Sequence, residues 1–326
     1  MIYIETGTTD VYENFGIEYY LASEKVIDEP ILLFWRTTPT LMVGRYQNVL
    51  EEIDRAYAEA NGIHIVRRMS GGGTIYTDLG GWQFSFIDHR EAEQIEFQQY
   101  IEPVVAALRE LGANASFSGR NDLLIDGRKI SGNAQYRLPG CVVHHGSLLF
   151  DTDLDAMTAA TTVNRYKIES KSIKSVRERV ANIREHLQEN ITAEEFKERM
   201  LQCLIGSEPK IYTLTAKERK HALELGERYF ANWERLYGSG PAYNLEKSAH
   251  LAGGSVTVRM EVKRGIIQSA ALLGDFFGTL SDEALTQILR GCRCERGEVF
   301  ARLRNAGVQE SIYKVGIEDL ADLIAE

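Results

Sequence analysis

The stretch Arg67-Arg68-Met69-Ser70-Gly71-Gly72-Gly73-Thr74 combines two cations, a hydroxyl and three consecutive glycines. Glycine reaches backbone angles that a Cβ forbids, so such a loop can turn several N–H groups toward one anion. The arginines and the serine add charge-assisted hydrogen bonds suited to a phosphate. The same residues also make an ordinary turn between two strands, and the glycines alone do not separate the two readings. No Gly-Lys dipeptide occurs, so there is no Walker A loop. No Gly-x-Gly-x-x-Gly opens a helix after a strand either. A nucleotide bound here is bound in another way.

A second cluster runs Gly119-Arg120-Asn121-Asp122, then Gly127-Arg128-Lys129-Ile130-Ser131-Gly132-Asn133-Ala134-Gln135. Asp126-Gly127 between apolar runs is a hairpin signal, and the hairpin brings Asp122 near Lys129. A lysine beside a carboxylate is positioned and kept protonated. It can then neutralise charge on a transferring phosphate or carboxylate. A solvated surface pair is the plainer reading. His144 and His145 are adjacent on a strand and face opposite ways, so they do not chelate one metal together. A hydrogen-bonded structural histidine is favoured there over a general base. Lys167, Lys171, Lys174, Arg177 and Arg179, broken by Glu169 and Glu178, read as a solvated charged segment. Cys292 and Cys294 have no second pair and no nearby histidine, which favours free thiols over zinc. No Ser-His-Asp or activated-cysteine constellation is evident in the sequence.

The elements that must position these residues follow from pattern. Asp10 and Glu13 fit a capping box, opening a helix to about Val26. Residues 31–35, 39–46, 63–68, 74–76 and 82–87 read as strands around the glycines. Ile101, Val104, Val105, Leu108 and Leu111 recur at helical spacing, predicting a helix after Pro103 that Gly112 closes. Residues 123–125 and 129–130 form the hairpin, and 142–150 a further strand. Residues 192–204 and much of 215–236 read as helix. Residues 237–241, Tyr-Gly-Ser-Gly-Pro, are the linker candidate. Beyond it, 255–262 and 266–273 read as a hairpin, with helices at 282–289, 296–305 and 317–325.

A chain of 326 residues is long for one core and suggests two domains, 1–240 and 241–326. Its 44% hydrophobic and 26% charged content is that of a soluble globular protein. No apolar run reaches the roughly 18 residues of a membrane span. The first ten residues lack the basic start and apolar middle of a signal peptide, so the cytoplasm is the expected compartment. A net charge of −10 argues against generic nucleic-acid binding.

Taken in order, the motifs resemble one family. Pro39-Thr40, Gly44-Arg45-x-Gln47-Asn48, Arg67-Arg68-x-Ser70-Gly-Gly-Gly73 and Gly119-Arg-Asn-Asp122 are similar to the lipoate–protein ligase A family. So are the run from Asp126 to Gln135, His145-Gly-Ser-Leu-Leu149 and Ser175-Val-Arg177-x-Arg179-Val180. The resemblance covers about residues 10–185. The C-terminal piece matches the family's accessory domain in size and position. It implies an α+β fold of the biotin/lipoate-ligase type, with a mixed-sheet catalytic domain and a small α+β C-terminal accessory domain, which the need to keep water from an acyl-adenylate casts as a lid.

The implied activity is ATP-dependent and AMP-forming. Lipoate becomes lipoyl-AMP with release of pyrophosphate, and a carrier lysine then attacks the acyl carbon. The implied partners are the apo lipoyl domains of 2-oxoacid dehydrogenase E2 subunits and the glycine cleavage H protein. ATP with Mg2+ and lipoic acid enter as substrates, with no tightly bound cofactor, no nucleic acid, no membrane and a monomeric state. By the same resemblance Lys129 is the catalytic residue, bridging acyl carbonyl and phosphate. Arg68, Ser70, Gly71, Gly72, Gly73, Thr74, Ile75, Tyr76, Asn121, Asp122, Ala134 and Ser147 would contact ATP or the adenylate, with Asp122 near magnesium. Thr77, Gly44, Arg45 and His145 would belong to the acyl pocket.

The chain departs from the family's pattern at Thr77, where the family has His, at Gly81, where it has Asn, and at Ser172, where it has Gly. Thr77 bears on acyl preference and turnover. One competing reading is a transferase that moves octanoyl or lipoyl groups through a cysteine thioester. It needs a thiolate near Lys129, and Cys141, expected in a loop after Pro139-Gly140, has no activating base in view. Biotin ligase fits the motif residues less well. A non-catalytic lipoate- or adenylate-binding regulator differs from a ligase in one simple respect: it releases no pyrophosphate when lipoate is added to ATP.

Overall fold

The computed structural model describes residues 1–47, 49–92, 94–161, 179–232, 235–236, 245–263 and 265–325. Ser172, most of the charged run from Lys167, and the linker at 237–241 lie outside them.

Eight strands form the main sheet, in the order β11-β1-β2-β6-β10-β9-β8-β7. They are β1 (Ile2–Ile4), β2 (Ile31–Trp35), β6 (Trp82–Asp88), β7 (Ser116–Ser118), β8 (Asp122–Ile125), β9 (Arg128–Leu138), β10 (Cys141–Leu148) and β11 (Lys210–Ile211). β1 runs parallel to β2 and β11, and the other pairings are antiparallel. Five successive buried residues in β2 mean that both faces of the sheet are covered. One face packs under α4 (Gln98–Glu110) and the helix Ala193–Ile205. The other packs under α1 (Val11–Ser23) and the helix Ala216–Tyr229. The last two helices touch through glycines: a Cβ on Gly16 would stand 2.1 Å from Ala222 O, and one on Gly226 2.3 Å from Tyr12 O.

A second, three-stranded sheet sets the glycine loop. β3 (Thr40–Val43) lies between β4 (His64–Arg67), parallel to it, and β5 (Ile75–Thr77), antiparallel. Short helices α2 (Val49–Glu52) and α3 (Arg55–Ala60) join β3 to β4, and α5 (Leu154–Ala160) follows β10. The C-terminal unit is an antiparallel sheet of β12 (Leu245–Leu251), β13 (Gly254–Lys263) and β14 (Ile266–Gly274). Helices Asp282–Leu289, Arg296–Asn305 and Ile317–Ala325 complete a core of its own.

Three local readings change. Asp10 caps α1 by accepting from Tyr12 N and Glu13 N. The return half of the box is not made, because Glu13 Oε1 accepts from Arg219 at 2.8 Å instead. Pro103 sits inside α4 rather than before it. It faces solvent, and packing of Tyr100, Ile101, Val104 and Leu108 outweighs its missing N–H. β12 is additional. Its inward positions, Leu245, Lys247, Ala249 and Leu251, are too mixed to show as alternation.

Candidate active site

The glycine loop leaves β4 and turns across the end of β3. Arg68 N donates to Val43 O and Arg45 N to Ser70 O. Gly44 must be glycine, because a Cβ there would stand 1.9 Å from Gly72 O. The two arginines then part. Arg67 points away and clasps backbone, donating to the carbonyls of Gly44, Arg45, Gln47, Arg235 and Leu236. Arg68 points inward and lines the pocket. It donates to Ser70 Oγ and to the carbonyls of Met42, Gly71 and Gly73. Burial, and then Arg67, draws its guanidinium down to about 9, so it stays charged at neutral pH. None of those four acceptors is a carboxylate. The loop therefore presents a buried cation held by neutral groups, which is an environment suited to an anion.

The pocket beside it has a cavity volume of about 80 Å3. Arg68, Gly72, Gly73, Thr74, Ile75, Asn121, Lys129, Ala134, His145 and Ser147 line it, together with Phe15, Trp35, Met42, Gln83 and Phe277. Lys129 and Asn121 come from the β8–β9 hairpin. Asp126 (φ +51°) and Gly127 (φ +76°) make its turn, as the Asp-Gly dipeptide predicts. Lys129 Nζ lies 2.8 Å from Asp122 Oδ1, with both side chains about one-third exposed. Asn121 Nδ2 donates to Asn133 O at 2.7 Å, pinning the loop to β9.

The remaining expected site residues fall just outside the lining. Ser70 is buried and its Oγ lies 2.6 Å from His145 Nε2. Gly71 packs against Phe276 O, and Asp122 engages Lys129. Tyr76 belongs to a separate apolar cluster with Leu41 and Val43. Of the acyl-pocket candidates, His145 alone lines the pocket. Arg45 is exposed over the ring of Tyr46, and Gly44 supports the loop from behind. Thr77 is buried and takes a hydrogen bond from Gln83 Nε2, and it is Gln83 that lines the pocket. Within β5 alternation separates Ile75, which lines the pocket, from Tyr76, which faces the other way.

The structure corrects two sequence expectations outright. A Ser-His-carboxylate arrangement does exist: Ser70 Oγ bonds His145 Nε2, and His145 Nδ1 stands 3.2 Å from Glu18. Ser70 is fully buried, so the arrangement offers no exposed nucleophile. Cys141 is the first residue of β10 rather than part of a loop. Burial pushes its thiol up to about 12, the reverse of an activated thiolate.

The far wall comes from the C-terminal unit. The turn after β14, Gly274-Asp275-Phe276-Phe277-Gly278, lies on the glycine loop. Gly72 N donates to Phe276 O at 2.9 Å, and Gly274 N to Tyr46 O at 2.7 Å. Arg120 donates to Asp275 O, and Lys314 Nζ to Gly119 O. Phe276 stacks on Tyr46 with ring centroids 4.4 Å apart, and Phe277 meets Phe97 at 5.2 Å. Two adjacent phenylalanines between glycines were the available signal, and the sequence pattern leaves them unassigned between strand 266–273 and helix 282–289.

The catalytic half of the chain, residues 10–205, matches the lipoyl protein ligase A/B catalytic domain, and residues 240–324 match the bacterial lipoate protein ligase C-terminus. The chain belongs to the lipoate–protein ligase family. It is 38% identical over 331 residues to the lipoate-protein ligase LplJ of Bacillus subtilis, across 99% of this chain and 100% of that one. It is 40% identical to lipoate–protein ligase 1 of Staphylococcus aureus, across 87% of each. Among solved structures, a lipoate-protein ligase A bound with ATP superposes with a TM-score of 0.62 at 29% identity, over 73% of this chain and 97% of that one. The bipartite lipoate protein ligase of Thermoplasma acidophilum, solved with its E2 lipoyl domain, gives 0.64 at 29% identity, over 75% and 98%. The expected α+β ligase fold with a C-terminal accessory unit is therefore present. Among the described residues of this ligase no three His, Cys, Asp or Glu groups gather to hold a metal ion, and no helix is long and apolar enough to cross a membrane.

Proposed function

We infer that the protein activates lipoate with magnesium ATP in this pocket and passes the lipoyl group to a lysine of an apo lipoyl domain. One observation carries the reading: a single pocket is lined both by a buried cation and glycine loop and by the apolar side chains of Phe15, Trp35 and Met42. A medium-chain acid with an anionic head matches both kinds of lining. Adenylation needs charge neutralised and two reactants held in line, not a protein nucleophile. Arg68 and the loop N–H groups would take the phosphate. Lys129, on the pocket's hairpin wall, would bridge the acyl carbonyl and the phosphate. Asp122 holds Lys129 at 2.8 Å and would stand near the magnesium ion. The carrier would be an E2 or H-protein domain, and the compartment the cytoplasm. The C-terminal unit, from about residue 241, would act as the lid over the adenylate.

The test is pyrophosphate release by the folded protein with magnesium and ATP. It should appear on adding lipoate and be absent without it. A folded sample that gives no signal above the lipoate-free control ends the ligase reading in favour of a binding protein.

A further inference from the structure

The chemistry above leaves a fully buried acid, Glu18, unused. Glu18 lies in the middle of α1, facing the sheet, and is 1% exposed. Its Oε2 accepts from Ser85 Oγ at 2.5 Å and its Oε1 from Tyr136 OH at 3.2 Å. His145 Nδ1 stands 3.2 Å from both oxygens. A buried carboxylate is costly unless donors surround it, and an apolar residue would fill the same helix face at less cost.

Two hydrogen-bonded chains run outward from Glu18, and both end in the pocket. On one side Trp35 Nε1 donates to Ser85 Oγ at 3.1 Å. On the other, His145 Nε2 lies 2.6 Å from Ser70 Oγ, which accepts from Arg68 Nε at 3.1 Å. Trp35 and Arg68 both line the pocket, one at its apolar wall and one at its glycine loop. Donor counting sets the direction. Arginine and indole nitrogens only donate, and an ionised carboxylate only accepts. Ser70 therefore takes a bond from Arg68 and gives its own proton to His145 Nε2. His145 then carries its proton on Nδ1 and gives it to Glu18. This is the arrangement in which every donor on both chains has an acceptor.

We propose that Glu18 is a positioning residue for acyl activation, setting the orientation of Arg68 through His145 and Ser70 and of Trp35 through Ser85. The proposal rests on the ligase reading for its kinetic arms but not for its structural one. Glu18 touches neither substrate end. It holds the phosphate-facing cation and the acyl-facing wall in one rigid frame, and misplacement of reactants by about 1 Å costs on the order of 100-fold in rate.

The experiment has three arms on the full chain. Histidine-labelled 15N NMR of the wild type should show His145 protonated on Nδ1 and bare on Nε2. An Nε2–H tautomer, or a doubly protonated ring at neutral pH, overturns the network. Glu18→Gln keeps volume and should lower kcat for lipoate-dependent pyrophosphate release at least tenfold, with KM for ATP changed less than threefold. Equal kcat in the folded variant overturns the positioning role. Should Glu18→Gln not fold, Ser85→Ala cuts the Trp35 chain with a smaller change. It should raise KM for lipoate at least threefold and leave KM for ATP alone, and unchanged constants overturn that branch. A wild type that has the expected tautomer yet releases no pyrophosphate sinks the ligase reading while the network stands.

Discussion

Lys129 and His144 illustrate how opposite environments suit opposite tasks. Lys129 is part-exposed, on a hairpin, beside one carboxylate. It is free to exchange that partner for substrate charge. Lys129→Met should fold normally and lose roughly 100-fold or more in adenylation rate, since a preorganised charge at such a site is worth about 3 kcal/mol. Transfer near the wild-type rate would remove Lys129 from the mechanism. Cys141→Ser in the same assay should change little, because a thiol held up to about 12 is not a nucleophile at neutral pH. His144 is fully buried against Phe84, Phe86, Phe97 and Tyr100, and burial holds its pKa well below the ordinary 6.5. The folded protein then refuses a proton that the unfolded chain accepts, so stability is full above about pH 6.5 and falls as pH drops below it. His144→Phe should flatten that dependence between pH 6.5 and 5, by up to about 1.4 kcal/mol per pH unit. Parallel unfolding curves for the two proteins would contradict this.

The β8–β9 hairpin is the element on which the site depends most directly. Its turn needs two residues at positive φ, and Gly127 at +76° is the second. Gly127→Ala should cost about 1–2 kcal/mol of stability by urea unfolding, from Cβ strain in the left-handed region. Because Lys129 and Asp122 meet only in this register, lipoate-dependent pyrophosphate release should fall as well. Wild-type stability in the alanine variant would mean that the turn relaxes to another type. This hairpin was legible from the Asp-Gly dipeptide between apolar runs. The C-terminal hairpin was legible from Lys263-Arg264-Gly265 between two apolar runs. β12 was not, because Lys247 and Ala249 blur its inward face.

For the whole molecule, the contact between the C-terminal turn and the glycine loop matters most. Phe277 is 1% exposed and lines the pocket from a separate unit. Phe276 O occupies the N–H of Gly72, a group that an incoming phosphate would want. The proposed lid would have to free this N–H for the phosphate and cover it again afterwards. Phe277→Ala in the full chain should slow adenylate formation and raise hydrolysis of lipoyl-adenylate to free lipoate, since acyl-adenylates need water excluded. Transfer from supplied lipoyl-adenylate to an apo lipoyl domain should suffer less. Equal adenylate formation and leakage in mutant and wild type would reduce the C-terminal unit to a matter of stability or partner choice.

By itself the sequence determined the family, the order of motifs, the strands around the glycines and the pairing of Lys129 with Asp122. Each rests on local signals: dipeptide turns, short periodicities and runs of characteristic residues. Only the tertiary structure decided which side chains share the pocket. Arg67 and Arg68 are neighbours in sequence, yet one clasps the chain at Arg235 and Leu236 while the other faces the pocket. Glu18, Trp35 and Phe277 come from a helix, a strand and a separate unit with no motif to mark them. A helix-interior glutamate reads as solvent-facing until the sheet packed on it is known. Its role arises from donors 67, 118 and 127 positions away, on Ser85, Tyr136 and His145, and no local pattern carries contacts of that range.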